Sequence, residues 1–192
     1  MATFLQKVTN LFKKSNIRAG SIASRNFFQD TIKKLGNPTR GAALKGAKKR
    51  SNVVIGKMYA FSYNPKYKKI LPFYDRFPLI FPIKAGKNSF LGINLHYLPP
   101  KMRIVLLVKL MSLKDSRKFT TRTKLKISYN ILNGIKRYQA FRPTIKRYLT
   151  SHVKSAFIEV PSEQWELVTL LPLANFKKAS ASQVWANSKS KI

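Results

Sequence analysis

Cysteine is absent from this 192-residue chain, and acidic residues number only six against 38 Lys and Arg. Without cysteine there can be no disulfide, no Cys-based zinc site and no Cys nucleophile. Metal-dependent phosphodiester cleavage usually needs two or more carboxylates around one or two divalent ions. The two histidines, His96 and His152, make a poor metal set without nearby acids or cysteine. The sequence therefore predicts no metal site, no cofactor and no catalytic residue.

Asp75 is the one acid between Asp30 and Asp115, and it is the candidate for a nuclease carboxylate. A second carboxylate would have to come from the acidic residues of the C-terminal part, which are Glu159, Glu163 and Glu166. The favoured interpretation of Asp75 is structural: an ion pair with Arg76 or another cation, or a cap in the turn at 74–76. His96 is interpreted as a hydrogen-bonding group of the core or of a turn.

Long apolar runs and nucleotide-binding motifs are also missing. No segment approaches the ~18–20 apolar residues of a transmembrane helix. Neither a phosphate-binding glycine loop nor a nucleophile elbow is present, so nucleotide hydrolysis has no support. We predict no membrane partner and no small-molecule substrate. The N-terminal segment contains Ser and Lys/Arg and is acid-free until Asp30, which is also typical of organellar transit peptides, and that alternative stays open.

The charge balance is the strongest positive signal, with a formal net charge of +32. Unpaired like charges repel one another, so an excess of this size indicates a polyanionic partner. Nucleic acid is the usual one, and an anionic membrane surface is its competitor. The predicted phosphate-binding residues are Lys48, Lys49, Arg50, Arg117, Lys118, Arg122, Lys124, Lys126, Lys136, Arg137, Arg142, Lys146 and Arg147.

Aromatic residues lie among these cations, at Phe119, Tyr129, Tyr138, Phe141 and Tyr148. Aromatic rings can stack on unpaired bases, as at frayed or single-stranded ends. Core packing is the favoured interpretation. No motif that recognises a particular base sequence is present. We therefore predict that binding tolerates any nucleic-acid sequence and that its affinity falls steeply as the salt concentration rises.

The pattern of apolar residues predicts an α+β fold. Its sheet, or partial barrel, is antiparallel and comes from residues 53–97 with a late strand at 155–160. Strands are expected at 53–62, 79–84, 89–95 and 157–160, with a hairpin loop at 85–88. Helices are expected at 3–14, 21–35, 100–113, 125–135, 143–153 and 161–170, and a short one around 183–188. The helix at 143–153 would carry Arg142, Lys146 and Arg147 on one face, because they follow one another at roughly one-turn spacing. A basic turn is expected at 66–69 and a basic loop at 114–126. Residues 1–52 are interpreted as a basic arm ending in a flexible linker at 36–52, and 53–192 as a single DNA-binding domain.

Several runs in the aromatic central part resemble a known family. They are Gly56–Tyr59, Tyr63–Lys66, Leu71–Leu79 and Phe90–Pro100, together with Phe176–Ala179 and Val184-Trp185 near the C-terminus. Over about residues 50–192 the chain resembles the DNA end protector proteins of large contractile-tailed phages, which belong with head-completion proteins.

The resemblance implies a minor, non-enzymatic virion protein of the head or neck. Such a protein would bind the termini of packaged linear double-stranded DNA and block host exonucleases in the cytoplasm after injection. It would also act in head completion, with portal or neck proteins as further partners. Three alternatives stay open: a structural neck connector, an RNA-bound ribosomal-type protein with basic arms, and a nuclease that depends on Asp75.

Overall fold

The computed structural model describes residues 3–115, 120–134 and 137–189. This part of the chain forms seven α-helices and eight β-strands. The helices are α1 (Phe4–Lys14), α2 (Ile22–Leu35), α3 (Arg40–Leu44), α4 (Pro100–Asp115), α5 (Thr121–Gly134), α6 (Trp165–Leu170) and α7 (Ala181–Lys189). The strands are β1 (Lys48–Arg50), β2 (Met58–Ala60), β3 (Tyr74–Asp75), β4 (Leu79–Ala85), β5 (Ser89–Asn94), β6 (Ile145–Leu149), β7 (Phe157–Val160) and β8 (Phe176–Lys177). None of the described helices has the length and apolar content needed to cross a membrane.

Six strands form one open sheet in the order β1-β7-β2-β4-β5-β6. Every neighbouring pair in it is antiparallel. Strands β3 and β8 form a separate antiparallel pair. The predicted α+β class with an antiparallel sheet is therefore confirmed, in its open form.

The helices pack against one face of the large sheet. Side chains alternate between the two faces of a strand, so Met58 and Ala60 of β2 enter this main core. Helix α4 adds Leu106, Leu107 and Leu110, and α6 adds Leu167 and Val168 to the same cluster. Burying each large apolar side chain contributes about 1.5–3 kcal/mol.

The opposite face of the sheet carries an aromatic cluster. Its buried members are Tyr59, Phe61, Tyr63, Ile80, Phe90, Tyr148 and Phe157. Phe61 lies at the centre, with edge-to-face contacts to the rings of Phe90, Tyr148 and Phe157 at centroid distances of 5.1–5.8 Å. Such pairs add about 0.5–1.5 kcal/mol each beyond their buried area. The favoured assignment of Tyr148 to packing is thus confirmed.

The helix predicted at 143–153 is wrong. Residues 139–144 form a 3₁₀ helix that accommodates Pro143, and Ile145–Leu149 is the strand β6, paired with β5. The prediction relied on one-turn spacing of cations, but Ile145–Leu149 pairs residue by residue with 89–93 of β5. In a strand, Lys146 and Arg147 point to opposite faces rather than sharing one.

The flexible linker predicted at 36–52 is also wrong. It contains α3 and β1, and β1 pairs with β7. The basic arm is not confirmed either, because α1, α2 and α3 contribute Leu5, Val8, Phe28, Ile32 and Leu44 to the main core. The division into 1–52 and 53–192 stays a prediction.

The N-terminal helices begin and dock through specific polar contacts. Helix α1 starts with a reciprocal capping box between Thr3 and Gln6, which satisfies two backbone donors at the helix start. The buried Glu166 of α6 accepts hydrogen bonds from the Ser24 hydroxyl at 2.6 Å and from the Gly20 backbone N–H at 3.0 Å. A buried carboxylate therefore ties the N-terminal helices to the rest of the fold.

Other boundaries moved by a few residues. Within the predicted strand 53–62, only Met58–Ala60 is regular, because residues 51–57 form bends and turns. The basic loop predicted at 114–126 is partly helical: α4 extends to Asp115 and α5 starts at Thr121. The hairpin of β4 and β5 and the strand β7 are confirmed.

Gly92 of β5 is packed too closely for a side chain. A Cβ atom there would lie 2.8 Å from Cδ1 and 3.3 Å from Cβ of Ile80. We expect Gly92→Ala to lower the free energy of unfolding by about 1–3 kcal/mol, measured by urea denaturation. Gly41 of α3 has nothing within 4 Å of its Cβ position. Gly41→Ala is the matched control and should be neutral or stabilising, since alanine favours helix. Equal stability of the two variants would contradict this packing.

Candidate nucleic-acid interface

Three of the acidic side chains, Asp75, Glu159 and Glu166, are engaged in contacts within the fold. Glu159 of β7 binds Arg50 at 2.6 Å and Lys57 at 2.8 Å. Burial by itself would raise the pKa of Glu159, but the bonds from Lys57 and Arg50 outweigh it and lower that pKa. Arg50 is therefore held by an ion pair within the fold, whereas its neighbours Lys48 and Lys49 are exposed.

Asp75 lies in a buried hydrogen-bond network. Its Oδ2 accepts from Nδ1 of His96 at 2.6 Å and from Asn94 Nδ2 at 3.2 Å. Its Oδ1 accepts the backbone N–H groups of Phe77 at 2.9 Å and Asn175 at 3.0 Å. The expected ion pair with Arg76 is replaced by the His96 contact, whereas the expected turn-capping role is confirmed by the bond from Phe77.

Opposing effects set the protonation of this pair. Burial would raise the pKa of Asp75, but His96 and the backbone donors lower it overall. Burial lowers the pKa of His96, against the influence of Asp75. We therefore assign a carboxylate at Asp75 and a neutral imidazole that donates from Nδ1. The prediction that His96 is a hydrogen-bonding group of the core or a turn is confirmed.

Within the described part of the chain, the carboxylates that a nuclease would require are not assembled around Asp75. Glu159 is held by cations on β7, and Glu166 is held by Ser24 and the Gly20 backbone. Among the described residues, no group of three His, Asp or Glu side chains could share a metal ion. The arrangement around Asp75 organises a turn.

A cavity of about 490 Å³, here called the tyrosine cavity, opens between the segment 63–75 and strand β6. Its aromatic lining consists of Tyr63, Tyr67, Phe73, Tyr74, Tyr97 and Tyr148. Its cations are Lys66, Lys146 and Arg147. The Lys146 ammonium lies 4.1 Å from the centroid of the Tyr97 ring. Aromatic rings beside cations are the combination that single-stranded nucleic acid uses for stacking and for phosphate contacts.

A smaller cavity of about 320 Å³ adjoins it and shares Phe73, Tyr97 and Lys146 as lining residues. It adds Arg142 and Gln139 from the 3₁₀ helix before β6. The structure therefore brings Arg142 and Lys146 together beside these two cavities. Arg147 also borders the tyrosine cavity, although it points to the other face of β6 and its Nε donates to the Ser89 hydroxyl at 3.1 Å.

A third cavity, of about 810 Å³, lies at the other end of the aromatic cluster. Lys49 and Arg50 of β1 and Lys87 of the β4–β5 loop line it, together with the cluster residues Phe90 and Phe157. Basic side chains thus accompany openings at two sides of the same aromatic layer.

Some of the other predicted residues lie away from these cavities, and others lie outside the described part of the chain. Lys126 of α5 and Arg137 are exposed and do not line these three cavities. Arg117, Lys118 and Lys136 lie outside the described residues, as do the side chains of Arg122 and Lys124. Contact of any of these residues with DNA stays a prediction.

Cations that were not among the predicted phosphate-binding residues also line cavities. Lys66 and Lys87 line two of the cavities, and Arg40, Arg76 and Lys154 line a further one of about 340 Å³. The sequence predicts a basic turn at Lys66–Lys69 and a hairpin loop at 85–88, which contains Lys87. Their proximity to β6 and β1 depends on strand order, which charge density along the sequence does not reveal.

Comparison with known proteins adds independent information. No curated protein and no solved structure matches the chain. A family model described as the phage T4 terminal DNA protecting protein matches residues 2–188, which takes in the N-terminal helices, the sheet and all the cavities above. The chain therefore belongs to the family of the phage T4 terminal DNA protecting protein, and the resemblance to phage DNA end protectors is confirmed.

Proposed function

We propose that this protein binds the ends of packaged linear double-stranded DNA, shields them from host exonuclease and aids head completion, without catalysing a reaction. The family match over residues 2–188 carries the proposal. The net charge of +32 supports it, because each phosphate neutralised by Lys or Arg releases counterions from the DNA.

A protein can protect a DNA end by covering it, without catalysing a reaction. An exonuclease must reach the terminal phosphodiester, so a protein that covers the last phosphates and bases excludes it. The cations Arg142, Lys146 and Arg147 beside the aromatic lining supply both kinds of contact. Buried, hydrogen-bonded carboxylates such as Asp75 and Glu166 have scaffolding roles in this proposal.

The proposed location is the virion, inside the head or neck, and then the host cytoplasm after DNA injection. Portal or neck proteins are the proposed protein partners. Both proposals follow from what DNA end protection requires: the protein must meet the DNA terminus before the head is joined to the tail and must stay on it through injection.

Exonuclease protection tests the central claim. We expect the protein to slow digestion of a linear duplex by a processive exonuclease by about tenfold or more at near-physiological salt, since specific complexes typically exceed nonspecific ones by at least 10³ in affinity. The measurement is the release of acid-soluble nucleotide over time.

The control is the same plasmid, circular and nicked once, digested by an exonuclease that acts at nicks, with equal protein. Protection of the linear form alone supports end binding. Equal protection of both forms would mean general coating of DNA and would remove end protection as the function.

A further inference from the structure

We propose that the tyrosine cavity binds the terminal nucleotide of one DNA strand, with its base against the aromatic lining and its phosphate at the cationic rim. The inference rests on the proposed end-binding function and adds the substrate: an unpaired nucleotide rather than a duplex surface. The cavity volume of about 490 Å³ lies in the range of small-ligand sites.

The aromatic lining of the tyrosine cavity is suited to stacking against the flat face of a DNA base. Phe73 and Tyr97 pack together with centroids 6.0 Å apart, and Tyr67 is 58% exposed beside them. The Lys66 ammonium lies 5.4 Å from the centroid of the Tyr67 ring, and the ring is otherwise largely open to solvent. Base-on-ring stacking is tolerant of sequence because every base has a π face. A protector of ends with varied sequences needs that tolerance.

The rim of the tyrosine cavity carries cations that could bind a phosphate group. Lys66 and Arg147 are exposed, and Lys146 lies over the Tyr97 ring, so cations come from both the 63–75 segment and β6. Asp75, the one acid in the lining, is 4% exposed and saturated by donors. Its charge is thus turned inward, and the rim facing solvent is positive.

The cavity is held open by bonds within the fold. The Tyr63 hydroxyl accepts the backbone N–H of Leu149 at 3.1 Å. Lys178 donates to the carbonyls of Lys69 at 2.7 Å and Leu71 at 2.9 Å, which anchors the 63–75 segment. Binding to a preformed cavity costs less free energy, because fewer side chains and loops have to be ordered.

The buried end of the cavity offers a directed hydrogen bond. The Tyr148 hydroxyl accepts from Asn94 Nδ2 at 3.2 Å. Burial raises the pKa of Tyr148 well above its ordinary value, so its O–H stays protonated. That O–H is a donor suited to a ring nitrogen or carbonyl oxygen of a base edge.

A consequence follows for the DNA. A duplex end is wider than a one-nucleotide cavity, so a blunt end must unpair at least one base before it binds. Unpairing costs a few kcal/mol and is least for a base that is already single-stranded. The inference therefore predicts tighter binding to ends with a short overhang than to blunt ends, and weakest binding to a duplex closed by hairpins at both ends.

The experiment compares three duplexes of equal length: hairpin-closed, blunt, and bearing a two-nucleotide overhang. Fluorescence anisotropy gives the affinity of wild type and of Tyr67→Ala for each. We expect Tyr67→Ala to lose about tenfold affinity for the overhang duplex and little for the closed one, because stacking is local to the end. Tyr138, which is 64% exposed and lies outside this cavity, provides the matched control Tyr138→Ala, which should behave as wild type.

A second measurement needs no variant. An overhang ending in 5-iododeoxyuridine is irradiated in complex with wild type, and the crosslinked peptide is identified by mass spectrometry. Crosslinks to Tyr67, Phe73 or Tyr97 support the inference. End preference without a Tyr67 effect, and with crosslinks only elsewhere, overturns it while leaving end protection intact. No end preference in wild type overturns the proposed function itself.

Discussion

Replacing Asp75 with alanine is expected to lower the free energy of unfolding by about 3–5 kcal/mol, the typical cost of removing one partner of a buried charged network. The carboxylate accepts four hydrogen bonds, so its loss leaves the His96 Nδ1–H, the Asn94 amide and two backbone N–H groups without their acceptor. Each unsatisfied buried donor costs about 1–3 kcal/mol. Because these donors come from three separate segments, the turn at β3 and its pairing with β8 should loosen together.

The network also sets the acid sensitivity of the fold. The pKa of His96 is lower in the folded than in the unfolded state, so below the unfolded value of about 6.5 the unfolded chain binds the extra proton and stability falls. The pKa of Asp75 is lowered as well. Its stabilisation is fully present above its unfolded pKa near 3.9 and is lost as the pH falls through the folded pKa. Both groups therefore make the protein less stable in acid, His96 first.

Thermal unfolding between pH 8 and pH 2 measures both effects, with the His96 effect near pH 6 and the Asp75 effect below about pH 4. For a chain of this size, 1 kcal/mol shifts Tm by about 2–4 °C, so Asp75→Ala should lower Tm at neutral pH by roughly 10 °C. The exposed Asp30 of α2 provides the control Asp30→Ala, which should change Tm little. A folded, equally stable Asp75→Ala protein would contradict the structural role and return Asp75 to consideration as a functional carboxylate.

Much of the architecture was predictable because it is written in local patterns. Strand β7 and the β4–β5 hairpin have β-branched or aromatic residues bounded by Pro, Gly or Asn, which are strong local signals. Helix α1 has amphipathic spacing and a capping box. The helix predicted at 143–153 was wrong because cations at one-turn spacing mimic a helix face, whereas residues 145–149 form a strand through pairing with β5. That pairing is a long-range contact, and propensity alone cannot determine it.

The sequence was sufficient to predict a basic interface for a polyanion, but not which residues form it. An excess of cations indicates a polyanion whatever the fold. Which cations meet depends on the order of strands: Lys87 joins Lys49 because β4, β5 and β1 end near the same cavity. The ion pair of Arg50 with Glu159 could not be foreseen either, since these residues are distant in sequence and meet only through β1–β7 pairing. Charges can be counted in a single sequence, but which of them pair is determined by the fold.

Removing the exposed cations that line the tyrosine cavity and the adjoining one is expected to weaken DNA binding and flatten its salt dependence. The test variant carries Lys66→Ala, Arg142→Ala and Arg147→Ala, all at exposed positions. The logarithm of affinity falls with that of salt concentration with a slope of about −0.9 per phosphate contact. Three lost contacts should reduce the slope by about 3 and lower affinity by roughly 10²–10³ at 0.1 M salt.

Charge removal alone would weaken binding wherever the cations lie, so the control must remove equal charge. Lys33 of α2 and Lys101 and Lys109 of α4 are exposed on helices that belong to the layer covering the opposite face of the sheet. Their triple alanine variant has the same net charge as the test variant. We expect it to keep most of the wild-type slope, because general attraction is screened over about 10 Å at 0.1 M salt while a direct phosphate contact is not. Identical slopes for the two variants would mean that the protein attracts DNA through total charge, with no dedicated face.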